Sequence, residues 1–158
     1  MTIQRSLMLV LLACALLAGK EKAPKKSDVC AQPNPEAVCT PENTCAAGSC
    51  TLDVTRTASS SSLKPVVAGA KDGKPVCIPA GTKVEWQSTE KSTGFVVDPG
   101  TTSPFDPPGA IMGGYNKPTT TVATKAGCYP ISFGACKSGG IYGMCKDSAT
   151  TIVITKGK

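Results

Sequence analysis

Apolar and polar residues alternate with a period of two over several short stretches, and Gly, Pro, Ser and Thr separate those stretches. Residues 51–57, TLDVTRT, set Leu52 and Val54 against polar neighbours, and residues 82–88, TKVEWQS, put Val84 and Trp86 on one face with Lys83 and Glu85 on the other. Residues 74–79 (KPVCIP), 94–98 (GFVVD), 119–124 (TTTVAT), 128–133 (CYPISF) and 149–155 (ATTIVIT) complete about seven predicted strands. The GFVVD stretch is apolar on both faces, as a central strand would be, and Trp86 is expected in the core. Residues 58–62 read as a flexible loop, and residues 99–118, rich in Pro and Gly and without periodicity, as a long surface loop. Strands this short and this evenly punctuated predict an all-β fold, a sandwich or barrel.

The pattern changes towards the N-terminus. Residues 1–19 carry one positive charge followed by an unbroken apolar run from Leu7 to Leu17, the build of a secretory signal peptide and too short for a comfortable membrane span. Leu17-Ala18-Gly19 is similar to a lipoprotein processing site but is followed by Lys20, which has no thiol; Leu11-Leu12-Ala13-Cys14 keeps the Cys after a shorter apolar run. Both cleavage with release and lipid attachment at Cys14 remain open, so an N-terminal anchor is the only membrane contact the sequence suggests. Residues 20–29, KEKAPKKSDV, read as a basic linker. Residues 30–50 hold four Cys and three Pro and have almost nothing large to bury, so this small Cys-rich segment must be held by bridges. Its C-x5-C-x4-C spacing resembles that of small Cys-rich modules of exported bacterial proteins. Residues 51–158 are left as the sandwich domain.

Charge and cysteine content sharpen the picture. The formal net charge is +6, but Arg5, Lys20, Lys22, Lys25 and Lys26 account for five of the seventeen cations, and from Cys30 onward twelve cations face nine anions. So weak a positive balance excludes a strong electrostatic footprint for nucleic acid. Beyond Cys14 there are eight cysteines, Cys30, Cys39, Cys45, Cys50, Cys77, Cys128, Cys136 and Cys145, an even number in a chain with an export signal, which predicts four disulfides. Only Cys45 and Cys50 have the close spacing usual in structural zinc sites. The eight form two clusters, and bridges confined to each would leave three pairings per set of four.

Landmarks in the second half of the chain resemble those of the cupredoxins, the Greek-key β-sandwiches of plastocyanin and azurin type. Ile78-Pro79-Ala80-Gly81-Thr82-Lys83-Val84-Glu85-Trp86 is similar to the family's strand, turn and Trp-ended strand; Ala126-Gly127-Cys128-Tyr129 to the start of the penultimate strand; Thr151-Ile152-Val153-Ile154 to the closing strand. The resemblance implies a first copper ligand at Thr93 or Gly94, a thiolate near Cys136 and a second imidazole within residues 137–140. The chain contains no histidine, so both imidazole positions fail, and Met144 as an axial thioether could not hold the metal alone. The implied fold is therefore a cupredoxin-like sandwich without type 1 copper, in which Cys77, Cys128, Cys136 and Cys145 supply two bridges where the metal would have pinned the terminal loop. A Cu(I) carrier using Cys136, Met144, Cys145 and Met112 is the alternative, since soft donors suit Cu(I).

Catalysis is not expected. Without His the usual general base near neutrality is missing, no Gly-x-Ser-x-Gly, phosphate loop or Cys-x-x-Cys occurs, and Asp98 with Asp106 reads as a pair of solvated loop carboxylates. No cofactor is implied. The remaining candidate is a binding loop formed by Phe105, Ile111, Met112 and Tyr115 with Tyr142, set against the reading in which these residues fold back over an open sandwich end. The sequence thus predicts an exported, non-catalytic β-sandwich of the bacterial cell envelope. It would bind a protein or small-molecule partner or serve as a structural component, in the periplasm, anchored to the envelope or outside the cell.

Overall fold

A computed structural model of the chain describes residues 29–137 and 145–157. The expected signal peptide (1–19), Cys14, most of the basic linker, Tyr142 and Met144 lie outside the described residues. Ten strands are present among them, against about seven expected: β1 (Ser49–Arg56), β2 (Ser61–Pro65), β3 (Val76–Pro79), β4 (Lys83–Gln87), β5 (Thr93–Asp98), β6 (Phe105–Asp106), β7 (Ile111–Gly114), β8 (Thr119–Ala123), β9 (Gly127–Lys137) and β10 (Cys145–Thr155). They form two five-stranded sheets, ordered β2-β1-β4-β8-β6 and β3-β10-β9-β5-β7, so the all-β, two-layer architecture holds. The pairs β1/β4 and β3/β10 are parallel and all other pairings are antiparallel. Parallel neighbours cannot be joined by a hairpin, so the chain crosses between the two sheets to make them.

Alternation builds the core. Leu52 and Val54 on β1, Val84 and Trp86 on β4, Val76 and Ile78 on β3, Phe95 and Val97 on β5, Ile131 and Phe133 on β9, and Ile152 and Ile154 on β10 all turn inward into one cluster. Each such aliphatic side chain contributes roughly 1.5–3 kcal/mol by leaving water. Trp86 is fully buried, as expected; its ring meets Phe105 edge-on at 5.2 Å and its indole Nε1 donates to Thr121 Oγ1 at 2.9 Å, so the one polar atom of the largest core residue is satisfied. The turn after β3 uses Gly81 at φ 82, a conformation that the Cβ of any other residue would strain.

Three local expectations are corrected. Residues 58–62 are not simply a loop: Ser61 and Ser62 begin β2 and are buried. Their hydroxyls make this tolerable. Ser61 Oγ accepts from Ala135 N at 2.8 Å and donates to the Lys146 carbonyl, while Ser61 N donates to Ser148 Oγ at 2.9 Å, so a serine that reads as loop ties one sheet to the other. Residues 99–118 are not one structureless loop, because β6 and β7 lie within them. Strand β5 is an interior strand, paired with β9 and β7, but only one of its apolar faces is buried: Phe95 and Val97 point inward, and Val96 is left exposed on the outer face.

The Cys-rich segment is bound to the sandwich. The four bridges are Cys30–Cys128, Cys39–Cys77, Cys45–Cys50 and Cys136–Cys145, so two of them cross between the two clusters, and of the two bridges expected among Cys77, Cys128, Cys136 and Cys145 only Cys136–Cys145 forms. Sequence spacing misled because the register brings distant cysteines together: Val153 of β10 pairs with Cys77 on one side and Cys128 on the other. That row points away from the core, yet Cys77 and Val153 are buried, because residues 29–48 lie across it. Backbone bonds reinforce the contact. Cys77 N donates to Asn43 O and Cys45 N to Cys77 O, both at 2.8 Å, which extends the sheet beyond its edge strand β3. Asn43, itself buried, accepts from Thr40 N and donates to Val38 O, closing the turn that follows a 3-10 turn at Pro35–Val38.

By loop-closure entropy the Cys30–Cys128 bridge, spanning 98 residues, is worth about 4.7 kcal/mol and Cys136–Cys145, spanning 9, about 2.6 kcal/mol. Replacing both members of each pair by Ala is therefore expected to lower the unfolding free energy by about 4–5 kcal/mol for the first pair and about 2–3 kcal/mol for the second, measured by denaturant titration.

Candidate functional site

The far end of the second sheet gathers the positions that the sequence singled out. Strand register places Gly114 of β7 opposite Gly94 of β5, Gly94 opposite Cys136 of β9, and Cys136 opposite Cys145 of β10, one continuous row across four strands. The row faces outward, since the neighbouring Phe95 and Ala135 are the ones that enter the core. Cys136 and Cys145 are bonded to each other with 3.9 Å between their Cα atoms; Cys136 is partly exposed and Cys145 exposed. Thr93 is buried, with its hydroxyl 3.4 Å from Glu90 Oε2.

The cysteines expected to bridge at this end are split. Cys136 and Cys145 stay here, whereas Cys77 and Cys128 belong to the opposite end and hold Cys39 and Cys30. The proposed soft-metal set is likewise not assembled. Met112 lies one outward row away and two strands over from β9, roughly 9–10 Å by strand spacing alone. Both thiolates are consumed in the disulfide, and no group of three or more His, Cys, Asp or Glu side chains able to hold a metal ion occurs among the described residues. The donors present do not fit a type 1 copper centre.

The candidate binding loop separates into two parts. Phe105 and Ile111 are core residues, 2% and 3% exposed, because β6 and β7 fold them back under the sheets; they are not available to a partner. Met112, at 68%, and Tyr115 remain exposed; Met112 is the cross-strand partner of Val96 on the outer face of β5 and β7, and Tyr115 directly follows β7. Asp98 and Asp106 do not meet as a carboxylate pair: they stand on different sheets, and Asp98 Oδ1 accepts from Gly100 N in a turn.

One feature has no counterpart in the sequence reading. Where β2 meets β9 and β10, a cleft of about 450 Å³ is lined by the hydroxyl residues Ser60, Ser62, Ser148 and Thr150, by the apolar Leu63 and Phe133, and by Asp72. Ser62 Oγ donates to Asp72 Oδ1 at 2.5 Å, and Lys64 Nζ lies 3.6 Å from the same oxygen. The hydroxyl first, and then the lysine charge, hold the Asp72 carboxyl below its ordinary value of 3.8. Scattered Ser and Thr in loops carry no periodic signal, which is why this cleft was not legible beforehand.

No protein-family model matches the chain, and no curated protein matches it significantly.

Because the folded pKa of Asp72 lies below its unfolded value, its contribution to stability is complete above the ordinary value and is lost as pH falls towards the folded one. Ser62→Ala is expected to raise the Asp72 pKa towards 3.8, measured by NMR titration of the carboxyl carbon, and to flatten stability on the acid side of that value.

Proposed function

We propose that the protein is an exported, cupredoxin-like β-sandwich without type 1 copper that acts at the bacterial cell envelope by binding a partner rather than by catalysis. The observation that carries this reading is the row Gly94–Cys136–Cys145: the positions at which the resemblance puts the first ligand and the thiolate are cross-strand neighbours, and the sulfur of Cys136 is bonded to Cys145. From β2 to β9 consecutive strands lie in alternate sheets, so the chain crosses the sandwich at each step.

Four disulfides belong to an oxidising, extracytoplasmic environment, and the apolar run at the start of the sequence supplies the means of export. Among the described residues no helix is long and apolar enough to cross a membrane. The exposed cross-strand pair Val96 and Met112, with the exposed Tyr115 just beyond the end of β7, is the surface best suited to a partner, since it presents apolar side chains from paired strands.

Titrating the oxidised protein with Cu(II) and with Cu(I) is expected to give no intense thiolate-to-copper absorption and no stoichiometric uptake, and cell fractionation should place the chain outside the cytoplasm. One equivalent of tightly held copper in the unreduced protein, or retention in the cytoplasm, would overturn the reading.

A further inference from the structure

We propose that Cys136–Cys145 is a thiol–disulfide exchange site, opened by an extracytoplasmic dithiol that attacks Cys136 Sγ from the side of the partly exposed Gly94, while the other three bridges are structural.

The four bridges differ in access and in what they hold. Cys45, Cys50 and Cys77 are 4%, 4% and 0% exposed, so Cys45–Cys50 is closed to an incoming thiolate at both sulfurs and Cys39–Cys77 at one. Cys30–Cys128 is partly exposed, but it ties the N-terminal segment across 98 residues, and opening it releases that segment. Cys145 is the one exposed cysteine among the described residues. Its bond to Cys136 closes only 9 residues, and the ladder continuing from Lys146↔Ala135 to Ile154↔Gly127 keeps β9 and β10 paired whether or not the sulfurs are joined. Loss of this bond therefore leaves the fold standing.

Disulfide exchange requires the attacking sulfur to approach along the S–S axis, opposite the leaving sulfur. The bridge runs across the strands, so the approach to Cys136 Sγ with Cys145 leaving comes from the β5 side. The two row positions on that side are Gly94 and then Gly114, neither with a side chain. Gly114 is demanded by the fold, because a Cβ there would lie 2.9 Å from the Thr93 carbonyl oxygen. Gly94 is not: its φ lies outside the left-handed region, and the nearest atom to a Cβ would be at 3.7 Å, an ordinary contact. Packing and backbone thus leave the absence of a side chain at 94 unexplained, and an open path to the sulfur accounts for it. Lys137 and Lys146 directly follow the two cysteines and so alternate to the opposite face of the sheet, whereas Asp147 shares the outward face with Cys145; the site is selected by access and not by charge.

The step balances as ordinary exchange. A partner thiolate bonds to Cys136 Sγ, the Cys136–Cys145 bond breaks, and its electron pair leaves on Cys145 as a thiolate. The partner's second thiol then attacks its own sulfur in the mixed disulfide and releases Cys136. Two electrons and two protons pass to this chain, and the partner dithiol becomes a disulfide.

The test is limited reduction of the oxidised full-length protein with a small dithiol, followed by alkylation and mass mapping of each cysteine. Cys136–Cys145 is expected to open first with the β-sheet circular dichroism retained, and Gly94→Leu to slow that opening on the order of tenfold, whereas Ser132→Leu, on the same outer face two rows away, leaves it unchanged. Prior or simultaneous opening of another bridge overturns the proposal, as does an unchanged rate in a folded Gly94→Leu variant. Should that variant not fold, the order of opening in the unaltered chain decides.

Discussion

Two covalent bonds, Cys30–Cys128 and Cys39–Cys77, hold a segment that has almost no apolar surface of its own against the outer face of a β-sheet. The arrangement solves two problems together. Residues 29–48 could not be ordered by hydrophobic burial, and the row Cys77–Val153–Cys128, on the side of the sheet away from the core, would otherwise be open to water. Backbone bonds from Asn43 and Cys45 to the outer edge of β3 complete the fit and cover an edge that would invite pairing with another chain.

The same sheet is treated differently at its other end. There the bridge joins two residues already opposed by strand pairing, closes a short loop and lies in the same row as Gly94, and Cys145 is exposed. One end is thus fastened and the other accessible. The core between them depends on neither, because Trp86, Phe105 and the inward aliphatic residues of both sheets form a continuous cluster.

Much of the architecture was readable from residue pattern. Short apolar runs punctuated by Gly, Pro, Ser and Thr located β1, β3, β4, β5, β8, β9 and β10, with period-two alternation explicit in β1 and β4, and Trp86 in the core followed from its place in a half-buried strand. The reading failed where polar side chains do the work of apolar ones. Ser61 and Ser62 sit buried in β2 because long-range partners such as Ala135, Lys146 and Ser148 satisfy them, and no local pattern announces partners more than seventy residues away. It failed again for Phe105 and Ile111, which lie among Pro and Gly and read as loop residues although β6 and β7 turn them inward. The cysteine count and the oxidised state were legible, but the pairing was not, since it is set by strand register rather than spacing.

The account stands on the connection between the N-terminal segment and the sandwich, and peptide mapping of the native protein without reduction tests it most directly. The structure predicts one linked peptide joining Cys30 to Cys128 and another joining Cys39 to Cys77. Finding Cys30 and Cys39 joined to each other, or to Cys45 and Cys50, would contradict it.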